Sequence, residues 1–273
     1  MIEAIIKPLT KELGDGFSVR RSLPDKKKKM VGPFIFWDHM GPVTLDGNKE
    51  MLVRPHPHIG LATVTYLFSG EILHRDSLGN EQLIKPGEVN WMTAGAGIVH
   101  SERARNTSLE GIQLWVALPK AKEKIAPSFV HIKEDELPEL NCSGVDLRLI
   151  VGSFLGAESP IPVHSDIFYL SAKSHKTSQL KIELGSDQEA GVYLIKGTLE
   201  IESNKIEPGT MVIFQKGSEI KVDSIGASEF MIFGGEEFKE KPSVWWNFSS
   251  HSFDNIEEAK KKWKEGKFPK SDL

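Results

Sequence analysis

Four residues in two short segments have the types and the spacing of a metal site. His56 and His58 stand two residues apart, and so do His100 and Glu102 further along the chain. Side chains at positions i and i+2 of a β-strand project from the same face. Two such strands would direct three imidazoles and one carboxylate toward one point, so the sequence predicts a mononuclear metal site with these four ligands.

The ligand types narrow the choice of metal without deciding it. Three imidazoles and a carboxylate form a mixed nitrogen and oxygen set, which suits Fe, Mn, Co, Ni, Cu or Zn better than Ca or Mg. With four protein ligands, an octahedral ion keeps two positions for water, for a chelating substrate, or for a substrate and O₂ together. The set therefore predicts a single divalent transition metal.

The surroundings of the two pairs differ from regular strands. Pro55 and Pro57 flank the first pair and remove backbone donors, which is typical of a strand edge. The glycine-rich residues 93–97 precede His100 and permit a close approach of backbone. The remaining histidines stand singly and are interpreted as loop or hydrogen-bonded structural residues: His39, His74, His131, His164, His175 and His251.

Composition and charge exclude several classes of protein. Of the 273 residues, 39% are hydrophobic and 26% charged, and no stretch approaches the roughly 20 apolar residues that a bilayer span requires. A net charge of -4 argues against nucleic-acid binding through a broad basic face. Cys142 is the single cysteine, so no intrachain disulfide is possible. With no visible secretory signal, we expect a cytoplasmic protein with neither a membrane nor a direct nucleic-acid partner.

One local exception to the acidic balance is the run of lysines at positions 26–29. Because Pro24 and Asp25 precede it, we interpret the run as part of a solvated hairpin loop. A phosphate-contacting or targeting role is the alternative.

Short runs rich in β-branched and aromatic residues predict an all-β protein. Gly, Pro, Asn, Asp and Ser clusters separate them, which is typical of a sandwich or barrel. The runs cover residues 62–68, 111–118, 146–151, 192–195, 211–215 and 230–233. Helical periodicity is confined to the C-terminus, where Asp254 is a predicted cap, Ile256, Ala259 and Trp263 form one stripe, and Gly266 supplies a stop.

The two halves of the chain repeat one unit. The segment YLFSGEI at 66–72 matches YLIKGTL at 193–199, and a Pro-Gly pair follows each, at 86–87 and 208–209. We predict an N-terminal domain at 1–130 and a C-terminal domain with the helix at 131–273. Equal spacing places the counterparts of the four ligands at Glu183, Gly185, Val222 and Ser224. Since no histidine occurs there, only the N-terminal domain is expected to bind metal.

Three motifs carry a family resemblance. PHPHIG at 55–60, TAGAGIVHSE at 93–102 and GIQLWV at 111–116 resemble the pirin family of the cupin superfamily, and the likeness covers most of the chain. The general cupin pattern has a glutamate where this chain has Thr63. Pirins share this departure, and their carboxylate ligand corresponds to Glu102. The resemblance implies an all-β bicupin fold, two stacked antiparallel β-barrels of the double-stranded β-helix or jelly-roll type with a short C-terminal helix.

The resemblance also implies a metal and two kinds of function. Iron, as Fe(II) or Fe(III), would be bound by His56, His58, His100 and Glu102. One function is a quercetin 2,3-dioxygenase activity, in which a flavonol-like substrate and O₂ meet at the metal and Glu102 is the general base. The alternative is a redox-sensing regulator that binds a transcription factor or a metabolic enzyme without catalysis. Another cupin activity on a small carbonyl, sugar or aromatic compound also remains open.

Overall fold

The protein is described by a computed structural model that covers residues 1–14 and 16–269, with the side chain of Asn48 left out. In this part of the chain, strands account for 61% of residues and helices for 7%, which confirms the all-β class. None of its helices is both long and apolar enough to cross a bilayer.

The strands and helices are numbered along the chain. The strands are β1 Ile2–Ile6, β2 Leu9–Gly14, β3 Phe17–Leu23, β4 Phe34–His58, β5 Leu61–Ser69, β6 Ile72–Asp76, β7 Glu81–Ile84, β8 Val89–Thr93, β9 Ile98–Ala117, β10 Ser128–Ile132, β11 Glu139–Cys142, β12 Val145–Phe154, β13 Ala157–Glu158, β14 Ile167–Ser174, β15 Ser178–Glu183, β16 Gln188–Lys196, β17 Leu199–Ile201, β18 Asn204–Ile206, β19 Met211–Phe214, β20 Glu219–Ser224, β21 Ser228–Glu236, β22 Ser243–Trp245 and β23 Phe248–Ser250. Two 3₁₀ turns lie at Lys120–Lys122 and Glu134–Glu136, and the α-helix α1 is Phe253–Lys264.

The chain forms two compact units that interleave along the sequence. Unit 1 comprises Met1–Leu9, Arg20–Ile35 and Asp135–Glu237, and unit 2 comprises Thr10–Val19, Phe36–Glu134 and Phe238–Leu273. Strand β1 belongs to unit 1 because it pairs with β19. The division at residue 130 stays a prediction, to which the structure adds that the first and last segments of the chain belong to different units.

Unit 1 contains an eight-stranded sheet in the order β1-β19-β16-β21-β14-β12-β11, with β13 on β12, and a four-stranded sheet β15-β20-β17-β18. Its core is a continuous aliphatic and aromatic cluster that includes Leu180, Ile220 and Val222, each at most 1% exposed. The sheets are sandwich-like with free edges and are not closed barrels, an arrangement consistent with a bicupin. The expectation of closed barrels is corrected in this respect.

Unit 2 is built on a nine-stranded sheet in the order β10-β8-β5-β9-β4-β3-β2, with β6 on β9 and β7 on β6. The predicted C-terminal helix is present in this unit, but its N-cap is Ser252, and Asp254 lies in the first turn. Ile256 and Ala259 are buried, whereas Trp263 is 37% exposed. The two buried residues pack with Phe248 in one cluster, which attaches the helix to unit 2.

The predicted repeat is visible in backbone hydrogen bonds. β5 has a bulge between Leu67 and Ser69 where it pairs with β9, and β16 has one between Leu194 and Lys196 where it pairs with β21. The amide of Gly87 donates to the Leu67 carbonyl, and the amide of Gly209 donates to the Leu194 carbonyl. The two units therefore share one irregular motif, because Leu67 and Leu194 occupy the same place in the repeat.

Candidate metal centre

Two strands of unit 2 present the predicted ligands. His56 and His58 are near the end of β4, and His100 and Glu102 are in the first half of β9. β9 pairs there with β6, so that Glu102 lies opposite His74. His100 and Glu102 are 1% and 7% exposed, which shows that this face of β9 points into the unit.

The three predicted imidazoles converge. The ring centroids of His56 and His100 are 4.3 Å apart, and those of His58 and His100 are 5.1 Å apart. The Nε2 atoms of His58 and His100 are separated by 3.1 Å. One nitrogen of each of the three rings lies within 4.8 Å of the others, close enough to share one metal ion.

Backbone carbonyls set the tautomers of two rings. The Nδ1–H of His56 donates to the carbonyl oxygen of Arg54 at 2.8 Å. The Nδ1–H of His58 donates to the carbonyl oxygen of Asn247 at 3.2 Å. A carbonyl can only accept, so Nδ1 carries the proton in both rings. Nε2 is then left with its lone pair, as a metal ligand requires.

A side-chain relay sets the third tautomer. The Nε2–H of His74 donates to Oδ2 of Asp76 at 3.1 Å. With Nε2 as the donor to Asp76, the Nδ1 atom of His74 can accept a hydrogen bond, and it lies 3.5 Å from Nδ1 of His100. His100 donates there and keeps its own Nε2 unprotonated. Asn80 donates to both Asp76 oxygens, and the His74 ring stacks on Phe129 at 4.5 Å, which holds the relay in place.

His74 is a hydrogen-bonded structural residue, as the sequence predicts, but it also lies beside the predicted ligands. His74 is 3% exposed, and it shares a second group of potential ligands with His100 and Glu102, whose ligand atoms also lie within 4.8 Å of one another. A histidine that ligates a metal commonly donates its other N–H to such a partner, which orients the ring. The relay from Asp76 through His74 to His100 has this arrangement.

This donor set fits a metal ion. Three unprotonated Nε2 atoms face a common point, and two of them, in His58 and His100, approach to 3.1 Å. Two lone pairs at that distance repel each other unless a cation lies between them. Burial lowers the pKa of His56 to about 4 and the pKa values of His58 and His100 well below 6.5, which keeps the rings neutral near pH 7.

Glu102 lies beside His74 and His100: ligand atoms of these three residues are within 4.8 Å of one another, whereas the group formed by His56, His58 and His100 does not include it. Its Oε1 atom lies 3.3 Å from the hydroxyl of Thr65, which in turn lies 2.7 Å from Oε1 of Gln113. A hydroxyl has a single proton, so it donates to Glu102 when the Gln113 amide is oriented to donate to Thr65. Burial raises the pKa of Glu102, and the nearby His74 and Thr65 oppose that rise. At Thr63, where cupins in general have a glutamate, the side chain is 3% exposed.

Aromatic rings form one wall of the cluster. The ring of Trp115 meets the ring of His58 edge to face at 5.1 Å, and Phe36 stacks on Trp115 at 3.9 Å. Trp115 lies on β9 directly opposite Thr63 of β5. These rings restrict the rotation of His58 and exclude water from that side of the site.

The C-terminal segment completes the surroundings of His58. Beyond the carbonyl of Asn247, the amide of Ser249 donates to the carbonyl of Ile59. Gly60 adopts a φ of +67°, and a Cβ there would overlap the carbonyl oxygen of Ser249. Only glycine permits this contact. Residues near the end of the chain therefore position a ligand near its beginning, which spacing in the sequence does not indicate.

In unit 1, the strand positions equivalent to His100 and Glu102 differ by two residues from those that the sequence predicts. Leu73 lies opposite Arg103 in unit 2, and the equivalent Glu200 lies opposite Asp223 in unit 1. Arg103 therefore corresponds to Asp223. The predicted counterparts, Val222 and Ser224, each lie two residues beyond the equivalent positions. The prediction assumed loops of equal length, whereas the pairing of the strands determines which residues are equivalent.

The correct counterparts of His100 and Glu102 are Ile220 and Val222. Their side chains are 0% and 1% exposed, and on the paired strand they face Ile182 and Leu180. Aliphatic packing thus fills this part of unit 1. The register supports the expectation that one unit alone offers the ligand set.

The lysine run lies in a loop with Lys26, Lys27 and Lys29 exposed, as the sequence predicts, and only Lys28 departs from the prediction of a solvated loop. Lys28 binds Glu189 at 2.7 Å and Glu3 at 2.9 Å, and its side chain is only 12% exposed. The other oxygen of Glu189 accepts from the amide of Gly32. The ammonium of Lys28 is therefore part of an ion-pair network in unit 1, which reduces the free charge of the run.

Acidification is expected to destabilise the metal-free protein. In the unfolded chain the three histidines titrate near pH 6.5, above their folded pKa values. The unfolded state then binds more protons, so the free energy of unfolding falls as the pH drops below about 6.5 toward 4. The pKa shift of His56 alone corresponds to at most about 3 kcal/mol of unfolding free energy. The partial exposure of this side chain reduces that contribution. Because the pKa of Glu102 is raised in the folded state, this residue makes the folded protein more stable as the pH falls. It is one group against three histidines, so the net effect of acidification is destabilising.

Urea unfolding of metal-free protein at about pH 7.5 and pH 5 measures this effect. Replacement of the exposed His175, which lies outside both groups of potential ligands, is the control for histidine content. Equal unfolding midpoints at the two pH values would contradict the buried, neutral state of the histidine cluster.

Replacement of His74 is expected to weaken metal binding without removing a ligand. His74→Phe keeps a ring against Phe129 but removes the acceptor for His100. Loss of such an outer partner typically costs 10- to 100-fold in metal affinity. Chelator competition measures the change, and His175→Phe is the control because His175 forms a similar pair with Asp146 at 2.9 Å on the surface. An unchanged affinity in His74→Phe would show that the relay does not orient His100.

Comparison with known proteins agrees with the fold and the cluster. The pirin family model matches residues 16–116, and the model of the pirin C-terminal cupin domain matches residues 169–269. A pirin-like protein of Caulobacter vibrioides is 42% identical over 100% of this chain and 96% of its own length. A putative quercetin 2,3-dioxygenase of Pseudomonas aeruginosa is 36% identical over 93% of this chain and 81% of its own length.

Among solved structures, quercetin 2,3-dioxygenase from Acinetobacter baumannii superposes with a TM-score of 0.93 at 34% identity, covering 99% of this chain and 92% of that one. The fold and the site define a protein with two cupin domains and a buried group of histidines and glutamate able to bind a metal ion. The chain belongs to the pirin family.

Proposed function

We propose that the protein is a quercetin 2,3-dioxygenase-type enzyme that binds one divalent transition metal, most readily iron, through His56, His58, His100 and Glu102. The observation that carries the proposal is the convergence of three unprotonated Nε2 atoms inside unit 2. Relatives named as quercetin 2,3-dioxygenases, at 36% and 34% identity, support the choice of a flavonol substrate and O₂.

The protein's own residues have distinct tasks in this scheme. When bound, the metal supplies Lewis-acid activation of the flavonol 3-hydroxyl and a place for O₂. Glu102 accepts the proton of that hydroxyl, and Thr65 orients the carboxylate by donating to Oε1. Trp115 and Phe36 exclude water beside His58. Burial raises the pKa of Glu102, because a charged carboxylate is less stable away from water. A raised pKa favours the acceptance of a proton, which is consistent with Glu102 as the base.

Elemental analysis and oxygen consumption on one sample test the proposal. Protein is purified without added metal, its metal content is measured, and O₂ uptake is followed with quercetin. We expect about one metal per chain and quercetin-dependent uptake that a chelator abolishes and added metal restores. Metal without turnover would overturn the enzymatic role and favour the redox-sensing regulator. Protein that neither retains nor takes up metal would contradict both.

A further inference from the structure

A cavity in unit 2 is lined by several arginines and by none of the four proposed metal ligands. Its volume is about 460 Å³, and four arginines are among its lining residues: Arg54, Arg75, Arg103 and Arg105. We call this cavity the arginine groove. Glu71 is the only carboxylate among its described lining residues.

On β6 and β9 the arginine groove lies on the face opposite the metal cluster, whereas Leu52 and Arg54 of β4 have the same parity as His56 and His58. Side chains alternate along a strand, and on β9 Arg103 and Arg105 alternate with the buried Glu102 and Ala104. Leu73 of β6 lies opposite Arg103, which places the two on the same outward face. The lining of the groove includes none of the four proposed metal ligands.

Three of the groove arginines, Arg75, Arg103 and Arg105, are open to solvent. Arg103 binds Glu50 at 2.6 Å and Arg75 binds Glu81 at 2.9 Å. The two arginines and two glutamates of these ion pairs are each at least 29% exposed. Ion pairs of this kind contribute little stability and exchange readily with other anions. Arg105 forms no ion pair with any residue in the described part of the chain.

The floor of the groove is apolar. Leu73 and Leu83 face each other across β6 and β7, and Leu52 of β4 also lines the cavity. Leu83 is 38% exposed, so a leucine is in contact with water in a cavity that arginines also line. A ligand that covers these leucines removes apolar surface from water, which favours binding.

We propose that the arginine groove binds a small amphipathic organic anion. A carboxylate or phosphate group accepts hydrogen bonds from Arg103 and Arg105, and the apolar body of the ligand covers Leu73 and Leu83. Guanidinium groups bind both headgroups through paired N–H donors. The volume falls within the range of about 300–1,000 Å³ that is typical of small-molecule sites. The proposal is independent of the metal and of the dioxygenase activity.

Isothermal titration of the full-length, metal-free protein tests the site. The probes are octanoate and octyl phosphate, with octan-1-ol and inorganic phosphate as controls that each lack one part of the ligand. We expect saturable binding of at least one amphipathic anion. We expect Arg103→Gln and Arg105→Gln each to weaken it by about tenfold. Arg148→Gln is the matched control, because Arg148 forms a similar pair with Glu139 at 2.6 Å in unit 1.

Each outcome decides the proposal. Absence of saturable binding for both anions overturns it, and so does binding that the two groove variants leave unchanged. Binding of inorganic phosphate as tight as that of octyl phosphate contradicts the amphipathic class. Thermal unfolding of each variant is measured first, and the exposed positions of both arginines predict midpoints equal to that of the unmodified protein. Because metal-free protein is used, failure here leaves the proposed function unaffected.

Discussion

Replacement of His100 by alanine is expected to abolish metal retention. Nε2 of His100 lies 3.1 Å from Nε2 of His58, and its Nδ1 contacts His74, so this ring joins the ligand cluster to the relay that ends at Asp76. Loss of an outer partner already costs 10- to 100-fold in metal affinity, and removal of the ligand itself is expected to cost more than about 100-fold. Metal content after purification should fall from about one ion per chain to background.

The measurement needs controls for folding and for histidine content. His175→Ala removes an exposed imidazole from unit 1 and should leave metal content unchanged. Circular dichroism of metal-free His100→Ala should retain the β-sheet spectrum. We include His100→Gln as well, since it fills more of the buried space. A folded His100→Ala protein that binds metal with unaltered affinity would show that the ligand set is wrong.

The part of the site that could be predicted from sequence is the part that local geometry determines. Strand alternation alone brings His56 beside His58 and His100 beside Glu102. The three histidines converge, with His100 of the second pair beside both members of the first, and Glu102 lies beside His100. Short-range periodicity carried this information, because every strand has the same two-residue repeat.

The supporting residues could not be predicted in this way, since they depend on strand pairing. His74 lies opposite Glu102 only because β6 pairs with β9 in one particular register. Asn247 contributes a backbone carbonyl, which its side-chain type does not reveal. A signal was nevertheless present: His74 and Asp76 repeat the two-residue spacing of the ligand pairs, and they follow the strand that contains the repeat motif.

The same limit explains the displaced counterparts in unit 1. Equal spacing from a Pro-Gly pair assumes loops of equal length, whereas cross-strand register shows Ile220 and Val222 at the equivalent positions. For His100 and Glu102, both alignments place apolar or small residues at the counterpart positions in unit 1. The conclusion that unit 1 lacks them was insensitive to the error, because aliphatic residues occupy the whole region around Leu180 and Ile182.

Replacement of Glu102 by glutamine is expected to separate its two proposed roles. Glutamine has nearly the same shape but accepts no proton at neutral pH, so flavonol turnover should fall by about 100- to 10,000-fold, the usual contribution of a general base. Metal affinity should also fall, and excess metal therefore has to be supplied before the assay. Oxygen uptake with quercetin, measured beside the metal content of the same sample, gives turnover per bound metal.

A control on the same strand makes this result specific. Glu110 is a second buried carboxylate of β9, and its Oε1 lies 3.4 Å from Nε2 of His39, outside both groups of potential ligands. Glu110→Gln should therefore change turnover per metal far less than Glu102→Gln does. Glu102→Ala is expected to lose turnover and to retain metal more weakly still. If metal-replete Glu102→Gln cleaves quercetin at an undiminished rate, the carboxylate is not the base, and the hydroxyl proton must leave by a route that does not involve Glu102.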